Sequence, residues 1–212
     1  NTGFGTAGMG QLEKSASEYG LDIVIGEAFV SGATDLSAVL TKLKAQGVEA
    51  VVNWSIVPAQ SIVPKNMKQL GMEVPLFQSH GFGNIKYVEA AGEAAEGIIF
   101  PCGRLLVAEK LPESNPQKET LVTYKTNYEE RYGEDVSTFG GHAYDALMIA
   151  VEAVKNAGSA EKDAVRDAIE QIQGFPGTGG VFNFSPEDHN GLDMDSIVML
   201  TVTNGEFELL EE

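Results

Sequence analysis

Cysteine is nearly absent from this chain, and so are long apolar runs. Its 212 residues include one cysteine, Cys102, which cannot form an internal disulfide bond. No apolar run approaches the roughly 18 residues that cross a bilayer as a helix. We therefore expect no disulfide scaffold and no direct membrane insertion. The redox compartment stays open, because many exported bacterial proteins lack disulfides.

Positive charge is also scarce. Lysine and arginine number 14 against 31 aspartates and glutamates, which gives a formal net charge of -17 at pH 7. Such a chain cannot neutralise phosphates in bulk, so nucleic acid and anionic membrane surfaces are excluded as partners. The acidity itself is explained by solubility. Hydrophobic residues make up 43% of the chain, enough for one substantial core or two small ones in a globular protein.

Catalytic and metal-binding motifs are missing as well. The three histidines, His80, His142 and His189, have no short spacing of the kind that metal ligands use. The chain contains neither a G-x-S-x-G nor a Walker motif, and the glycines at 81 and 83 lack the G-x-G-x-x-G spacing of a dinucleotide site. We expect no metal, no cofactor and no enzymatic activity.

A regular alternation of short apolar runs and helical stretches fills the chain before Pro101. In one stretch Leu36, Leu40 and Leu43 share a helix face, with Asp35 as the cap. Strict alternation is typical of a parallel α/β sheet covered on both faces. It predicts helices at residues 6–20, 35–47, 59–71 and 85–91, and strands at residues 21–30, 50–53, 76–78 and 97–101.

After Pro101 the pattern changes to a long loop followed by helices. The change near Pro101 is the best candidate domain boundary, and the turn at residues 186–193 is the next. The sequence predicts helices at 117–132, 141–156 and 161–172, an extended segment at 181–185, and a hairpin of strands 197–203 and 207–210 around Asn204 and Gly205.

The start of the chain resembles the second half of a strand–loop–helix unit. A helix begins at Thr6 directly after a short glycine-rich stretch, and no strand precedes it. The strand would be internal in a parallel sheet, so its loss would expose an unpaired edge. Since the first residue is Asn1 and not Met, we expect a piece of a larger protein, with an upstream segment and signal peptide removed.

Two strand ends carry the candidate binding residues. Trp54, Ser55 and Ile56 follow the strand at 50–53, and His80 and Gly81 follow the next strand along the chain. Parallel sheets bind ligands at the carboxyl ends of their strands, so these side chains point to a small-molecule site. The residues alone leave open whether His80 contacts a ligand or hydrogen-bonds its own loop, and whether Trp54 belongs to a core.

Taken together, several segments resemble the periplasmic ligand-binding proteins of branched-chain amino acid ABC transporters, the Leu/Ile/Val-binding type. Each segment is modest, but their order and spacing over the whole chain are specific. They are Gly-Ala-Thr-Asp-Leu-Ser at 32–37, Gln-Leu-Gly at 69–71 before Val-Pro-Leu at 74–76, Ala-Ala-Gly-Glu-Ala-Ala-Glu-Gly at 90–97, Ala-Tyr-Asp-Ala at 143–146, and Gly-Gly-Val-Phe-Asn-Phe at 179–184.

The resemblance implies the type I periplasmic binding-protein fold, in which two α/β lobes, each with a parallel sheet between helices, trap a ligand between them. On that pattern residues 1–101 and 193–212 belong to the second lobe. Residues 102–192 belong to part of the first lobe, whose N-terminal portion is missing. The resemblance also implies a periplasmic or otherwise extracytoplasmic location and a membrane permease of an ABC transporter as partner.

The same resemblance places ligand contacts at Phe4, at residues 54–56, at His80 and Gly81, and, beyond the crossing between the lobes, at Phe139. Amino-acid binders of the family carry a carboxylate where His80 stands, to pair with the ligand's ammonium group. Burying an ammonium without such a partner is costly. The expected ligand is therefore an aromatic or apolar carboxylate, stacked on Phe4, Trp54 and Phe139 and hydrogen-bonded by His80.

Three alternatives stay open on the sequence. The ligand could be a branched-chain or other amino acid. The same fold also serves as the ligand-binding domain of sensory receptors, which an upstream transmembrane helix or signalling domain would reveal. The third alternative is an enzyme of flavodoxin-like architecture, which turnover of a bound compound would reveal.

Overall fold

Short parallel strands alternate with helices in the first hundred residues, which confirms the predicted α/β class. The computed structural model describes residues 2–210. Its helices are α1 (Gly3–Ser15), α2 (Ser37–Ala45), α3 (Ile62–Gln69), α4 (Ile85–Ala91), α5 (Lys118–Tyr132), α6 (Thr138–Ala157) and α7 (Lys162–Ile169). Its strands are β1 (Val51–Asn53), β2 (Leu76–Gln78), β3 (Ile99–Cys102), β4 (Phe175–Pro176), β5 (Val181–Phe182), β6 (Val198–Thr203) and β7 (Glu206–Leu209).

The main sheet has the strand order β1-β2-β3-β6-β7. β1, β2 and β3 are parallel, with Asn53 opposite Gln78, whereas β6 and β7 form the predicted antiparallel hairpin. The hairpin turns at Asn204 and Gly205, which both have positive φ angles of 54° and 78°, as a tight two-residue turn requires. Parallel β1 and β2 therefore end side by side at one edge of the sheet.

The chain divides into two compact units. The first unit runs up to Pro101 and resumes at Met199, and the second unit comprises residues 102–198. Phe82, Phe100 and Phe207 pack edge to face in the core of the first unit, with ring centroids 5.4 and 5.3 Å apart. The assignment of residues 1–101 and 193–212 to one lobe, and of 102–192 to the other, stays a prediction.

Side chains just ahead of α1 and α2 accept hydrogen bonds from amides at the starts of these helices. The Thr2 hydroxyl accepts a hydrogen bond from the Gly5 amide at 3.1 Å, so α1 starts three residues earlier than predicted. The prediction of Asp35 as the cap of α2 is wrong by one position: the N-cap residue is Leu36, and the Asp35 carboxylate, one residue earlier, accepts from the Ser37 amide at 2.8 Å. The hydrogen bonds from Ser37 lower the pKa of the Asp35 carboxyl from its ordinary value.

The strand predicted at residues 21–30 is wrong. The segment has no strand hydrogen bonding, and most of its apolar side chains are exposed, with Leu21 64% and Val24 53% exposed. The alternation of residue types is typical of a strand, but a strand forms only where a neighbouring strand accepts and donates its backbone bonds. Within the described residues, β1 is the last strand of the sheet on that side.

The second unit is built on the three predicted helices. Leu121 of α5 is fully buried with Leu105 and Val136, and Ile149 and Ala153 of α6 form a second cluster. These clusters give α5 and α6 each a buried apolar side, and in α6 it is not the side with Leu147 and Val151, which are exposed. A buried carboxylate, Asp145, accepts from the backbone amides of Thr178 and Gly179 at 2.6 and 2.7 Å and so fixes the glycine-rich loop between β4 and β5.

Candidate aromatic site at two strand ends

Two loops follow β1 and β2 and meet at the carboxyl edge of the sheet. The first loop carries Trp54, Ser55 and Ile56, and the second is a short 3₁₀ turn, His80–Phe82. Asn53 and Gln78, the last residues of the two strands, are paired in register, and the Asn53 side-chain amide donates to Gln78 Oε1 at 2.6 Å. The strand pairing therefore carries over into the loops.

Ser79 joins the two loops. Its buried hydroxyl donates to the carbonyl oxygen of Ser55 at 2.6 Å and accepts from the Gly81 amide at 3.2 Å. One hydroxyl thus holds the backbone on both sides of His80 and the backbone beside Trp54. Since each buried hydrogen bond of this kind contributes about 1 kcal/mol, the loops keep one relative position.

A buried glutamine forms a hydrogen bond with the backbone of the second loop. Gln60 is fully buried, and its side-chain amide donates to the Gly81 carbonyl oxygen at 3.1 Å. The Gln78 side-chain amide donates in turn to the main-chain oxygen of Gln60 at 3.1 Å. The loop that carries His80 is therefore tied to the first strand pair through side chains as well as backbone.

Phe4, Trp54 and His80 form one contiguous ring cluster. The rings of Phe4 and Trp54 are nearly parallel, with centroids 5.9 Å apart and an interplanar angle of 15°. The imidazole of His80 is nearly perpendicular to both, 5.4 Å from Phe4 and 6.2 Å from Trp54. Phe4 and Trp54 are half-buried, whereas His80 is exposed. The structure thus brings together three residues that lie far apart in the sequence.

The spacing of these rings fixes how a ligand can use them. A flat ligand sandwiched between two parallel rings needs a separation of about 7 Å, twice the optimal contact distance. Phe4 and Trp54 are closer than that, so no ring fits between them. A ligand would instead contact the pair from outside, with the exposed imidazole as a hydrogen-bond donor or acceptor.

The other candidates from the two loops have structural roles of their own. The Ser55 hydroxyl accepts from the Val57 amide at 3.2 Å, and Ser55 is buried. Gly81 is also buried, and a Cβ there would lie 2.6 Å from Ile56 Cγ2 and 2.7 Å from the Ser55 oxygen. Close packing of the two loops therefore explains the glycine, and a ligand contact at Gly81 stays a prediction. Ile56 is 38% exposed and lies two residues after Trp54 in the sequence.

Phe139 lies in the second unit. It is the second residue of α6, two positions after the cap at Ser137, whose hydroxyl accepts from the Gly140 amide at 3.4 Å. Its side chain is 48% exposed. Its role as a ligand contact stays a prediction.

Sequence reasoning missed the residues that support the cluster. Ser79 and Gln60 had no assigned role, although a polar residue directly after a buried strand was a usable signal. Gly8 was also missed. It lies in the middle of α1, where glycine costs about 1 kcal/mol relative to alanine, and an unexplained glycine in a helix often marks a close packing contact.

Other reactive groups lie outside this site. Cys102 is buried, and its burial raises the pKa of the thiol to about 12, which leaves it un-ionised and unreactive at neutral pH. Among residues 2–210 no three histidine, cysteine or acidic side chains come together as a metal site. None of the described helices is both long and apolar enough to span a membrane.

Comparison with known proteins gives one family. A family model described as periplasmic binding protein matches residues 1–206. The leucine-, isoleucine-, valine-, threonine- and alanine-binding protein of Pseudomonas aeruginosa is 24% identical over 160 residues, which are 75% of this chain and 40% of that protein. The Leu/Ile/Val-binding protein homolog 2 of Brucella abortus is 25% identical over 86% of this chain and 47% of that protein.

A solved structure gives the same result. The extracellular ligand-binding receptor from Rhodopseudomonas palustris HaA2 superposes with a TM-score of 0.93 at 26% identity. The match covers 100% of this chain and 61% of that one. The chain therefore spans less than half the length of the two curated relatives and about three fifths of this structural neighbour.

Proposed function

Because this chain belongs to the periplasmic binding protein family, we propose that it is part of the solute-binding component of an ABC transporter. The family match confirms the resemblance and the type I fold predicted from the sequence. In this proposal the protein works outside the cytoplasm, captures a small organic ligand without metal or cofactor, and delivers it to a membrane permease. The ring cluster of Phe4, Trp54 and His80 forms one wall of the ligand site.

The ligand we propose is a small carboxylate with an aromatic or apolar body. The single observation that carries this proposal is the ring cluster, in which two nearly parallel rings are joined by an exposed imidazole. The rings offer a flat apolar surface to a ligand body. The imidazole can donate a hydrogen bond to a carboxylate, but it cannot neutralise an ammonium group.

The proposed ligand contacts are Phe4, Trp54, Ser55, Ile56, His80, Gly81 and Phe139. None of these seven residues is acidic. An α-amino acid bound here would need its ammonium group paired by residues outside this set, because an unpaired buried ammonium is strongly disfavoured.

A branched-chain or other amino acid is the second candidate ligand. The observation in its favour is that the Pseudomonas aeruginosa relative is named as a leucine-, isoleucine-, valine-, threonine- and alanine-binding protein, and the Brucella abortus relative as a Leu/Ile/Val-binding protein homolog. At 24–25% identity these relatives share the family with this chain, but a pocket can change its ligand within a family.

Calorimetric titration of the full-length protein tests the proposal. Leucine, isoleucine, valine and a panel of benzoate-like acids are titrated in turn, with and without a chelator. We expect at least one aromatic acid to bind, and the chelator to leave its affinity unchanged. Mass spectrometry of small molecules released from the purified protein gives an independent identification. Tight binding of leucine with no heat from any acid would overturn the proposed ligand class.

A further inference from the structure

Gly8 stands directly under the indole of Trp54. A Cβ built on Gly8 would lie 2.1 Å from Cδ1, 2.4 Å from Nε1 and 2.6 Å from Cγ of that ring. Real Cβ atoms essentially never come within 3.0 Å of a neighbour. The Trp54 side chain therefore occupies the volume that any side chain at position 8 would need.

The contact is shared by one face of α1. Phe4 and Gly8 are four residues apart, so they lie one above the other on the helix, and Phe4 stacks on Trp54. A Cβ on Gly5, on the neighbouring turn, would lie 3.4 Å from the Trp54 carbonyl oxygen. The ring and the backbone of Trp54 thus both rest on the same stretch of helix.

We propose that Gly8 is a positioning residue of the ligand site. Because it has no side chain, the indole of Trp54 lies flat on α1, in register with Phe4 and His80. The expected effect of Gly8 on the binding of an aromatic acid rests on the proposed function. The position of the indole on α1 can be measured without any ligand.

Gly10 provides a matched control on the same helix. A Cβ on Gly10 would meet nothing within 4 Å. Gly8→Ala and Gly10→Ala both replace a helical glycine with the best helix former, so both gain the same local helix propensity. Only Gly8→Ala places a methyl group against the indole.

The test compares Gly8→Ala and Gly10→Ala in the full-length protein, each with and without Trp54→Ala. Near-ultraviolet circular dichroism of the ligand-free proteins, as a difference against Trp54→Phe, reports the surroundings of the indole. Titration with benzoate and the acids of the panel reports binding. We expect Gly8→Ala to change the Trp54 signal and to weaken the bound acid roughly three- to tenfold, as for one lost aromatic contact. Gly10→Ala should change neither.

The coupling to Trp54 separates positioning from a general structural role. In the Trp54→Ala background, Gly8→Ala and Gly10→Ala should bind the acid equally. If Gly8→Ala alone fails to fold, the same variant with Trp54→Ala should fold as well as its Gly10 counterpart, since the clash is gone. An unchanged Trp54 signal in Gly8→Ala, or an equal loss of binding without Trp54, would overturn the inference. If the unmodified protein binds no acid at all, the proposed ligand class fails and the dichroism comparison still decides the position of the indole.

Discussion

His80 is the residue on which the proposed ligand chemistry depends most. Its exposed imidazole stands at the rim of the ring cluster, edge-on to Phe4 and Trp54. A hydrogen bond to a charged partner contributes about 1.5 to 3 kcal/mol, so His80→Ala should weaken an acid ligand by roughly ten- to a hundredfold in calorimetric titration. The affinity for a neutral aromatic analogue, which contacts the rings without a charged hydrogen bond, should change far less.

His189→Ala is the matched control for that measurement. His189 is also exposed and lies in the second unit, where its ring nitrogen is 3.1 Å from a Glu170 oxygen. Its removal should leave ligand affinity as it was. If leucine bound tightly and equally to both variants while no acid bound to either, His80 would be only a loop residue.

The sequence predicts a residue's place in the site when that place depends on the end of one strand. It does not predict a role that depends on contact between two loops. Trp54 and His80 could be found because each follows an apolar run, and parallel strands end at one edge. The reason for Gly81 could not be found, because it depends on Ile56 and Ser55 of the other loop. The contact of Trp54 with Gly8 could not be predicted for the same reason, since it joins a helix to a loop 46 positions later.

At the scale of elements, one acidic side chain holds the turn of the β6–β7 hairpin. Both carboxylate oxygens of Glu96 accept backbone hydrogen bonds, from the amides of Asn204 at 2.9 Å and Gly205 at 2.7 Å. Glu96→Gln keeps one acceptor and loses the other together with the charge. Amide exchange at Asn204 and Gly205 should therefore accelerate roughly fivefold, as for about 1 kcal/mol of local opening free energy.

Glu93→Gln is the control for the hairpin. Glu93 belongs to the same segment, but its side chain is almost fully exposed and forms a surface ion pair with Lys68 at 3.0 Å. Such pairs contribute little to stability, so exchange at the hairpin should stay at the unmodified rate. Equal exchange rates in the two variants would show that Glu96 does not hold the turn.

The elements that sequence predicted best are those whose signals are local. The bounds of α4 and β2 and the turn of the β6–β7 hairpin agree with the prediction, because a cap, a short apolar run and an Asn-Gly turn lie within a few residues. The strand predicted at 21–30 is wrong because a strand needs a neighbouring strand, which local sequence does not specify. Its composition alone could not distinguish a strand of the sheet from an irregular segment.

At the scale of the whole molecule, both units expose large apolar side chains. In the first unit Leu21, Val30 and Val52 are 64%, 61% and 51% exposed, the last of them on the edge strand β1. In the second unit Phe139 and Leu147 on α6 are 48% and 63% exposed. Apolar faces favour association with other protein surfaces, and so does the outer edge of β1, which has no neighbouring strand among residues 2–210.

We therefore predict that the isolated 212-residue chain is not an autonomous folding unit of normal stability. Urea denaturation of the isolated chain and of the full-length protein should be followed by circular dichroism, with the association state measured by analytical ultracentrifugation. The isolated chain should unfold at a lower midpoint, without one cooperative transition, or persist only as a self-associated assembly. Replacing Leu147 with glutamate should reduce self-association if the face of α6 takes part in it, because a buried unpaired carboxylate opposes contact. A monomeric chain that unfolds in a single transition at the midpoint of the full-length protein would refute the prediction, since its exposed apolar surface would then cost the fold nothing measurable.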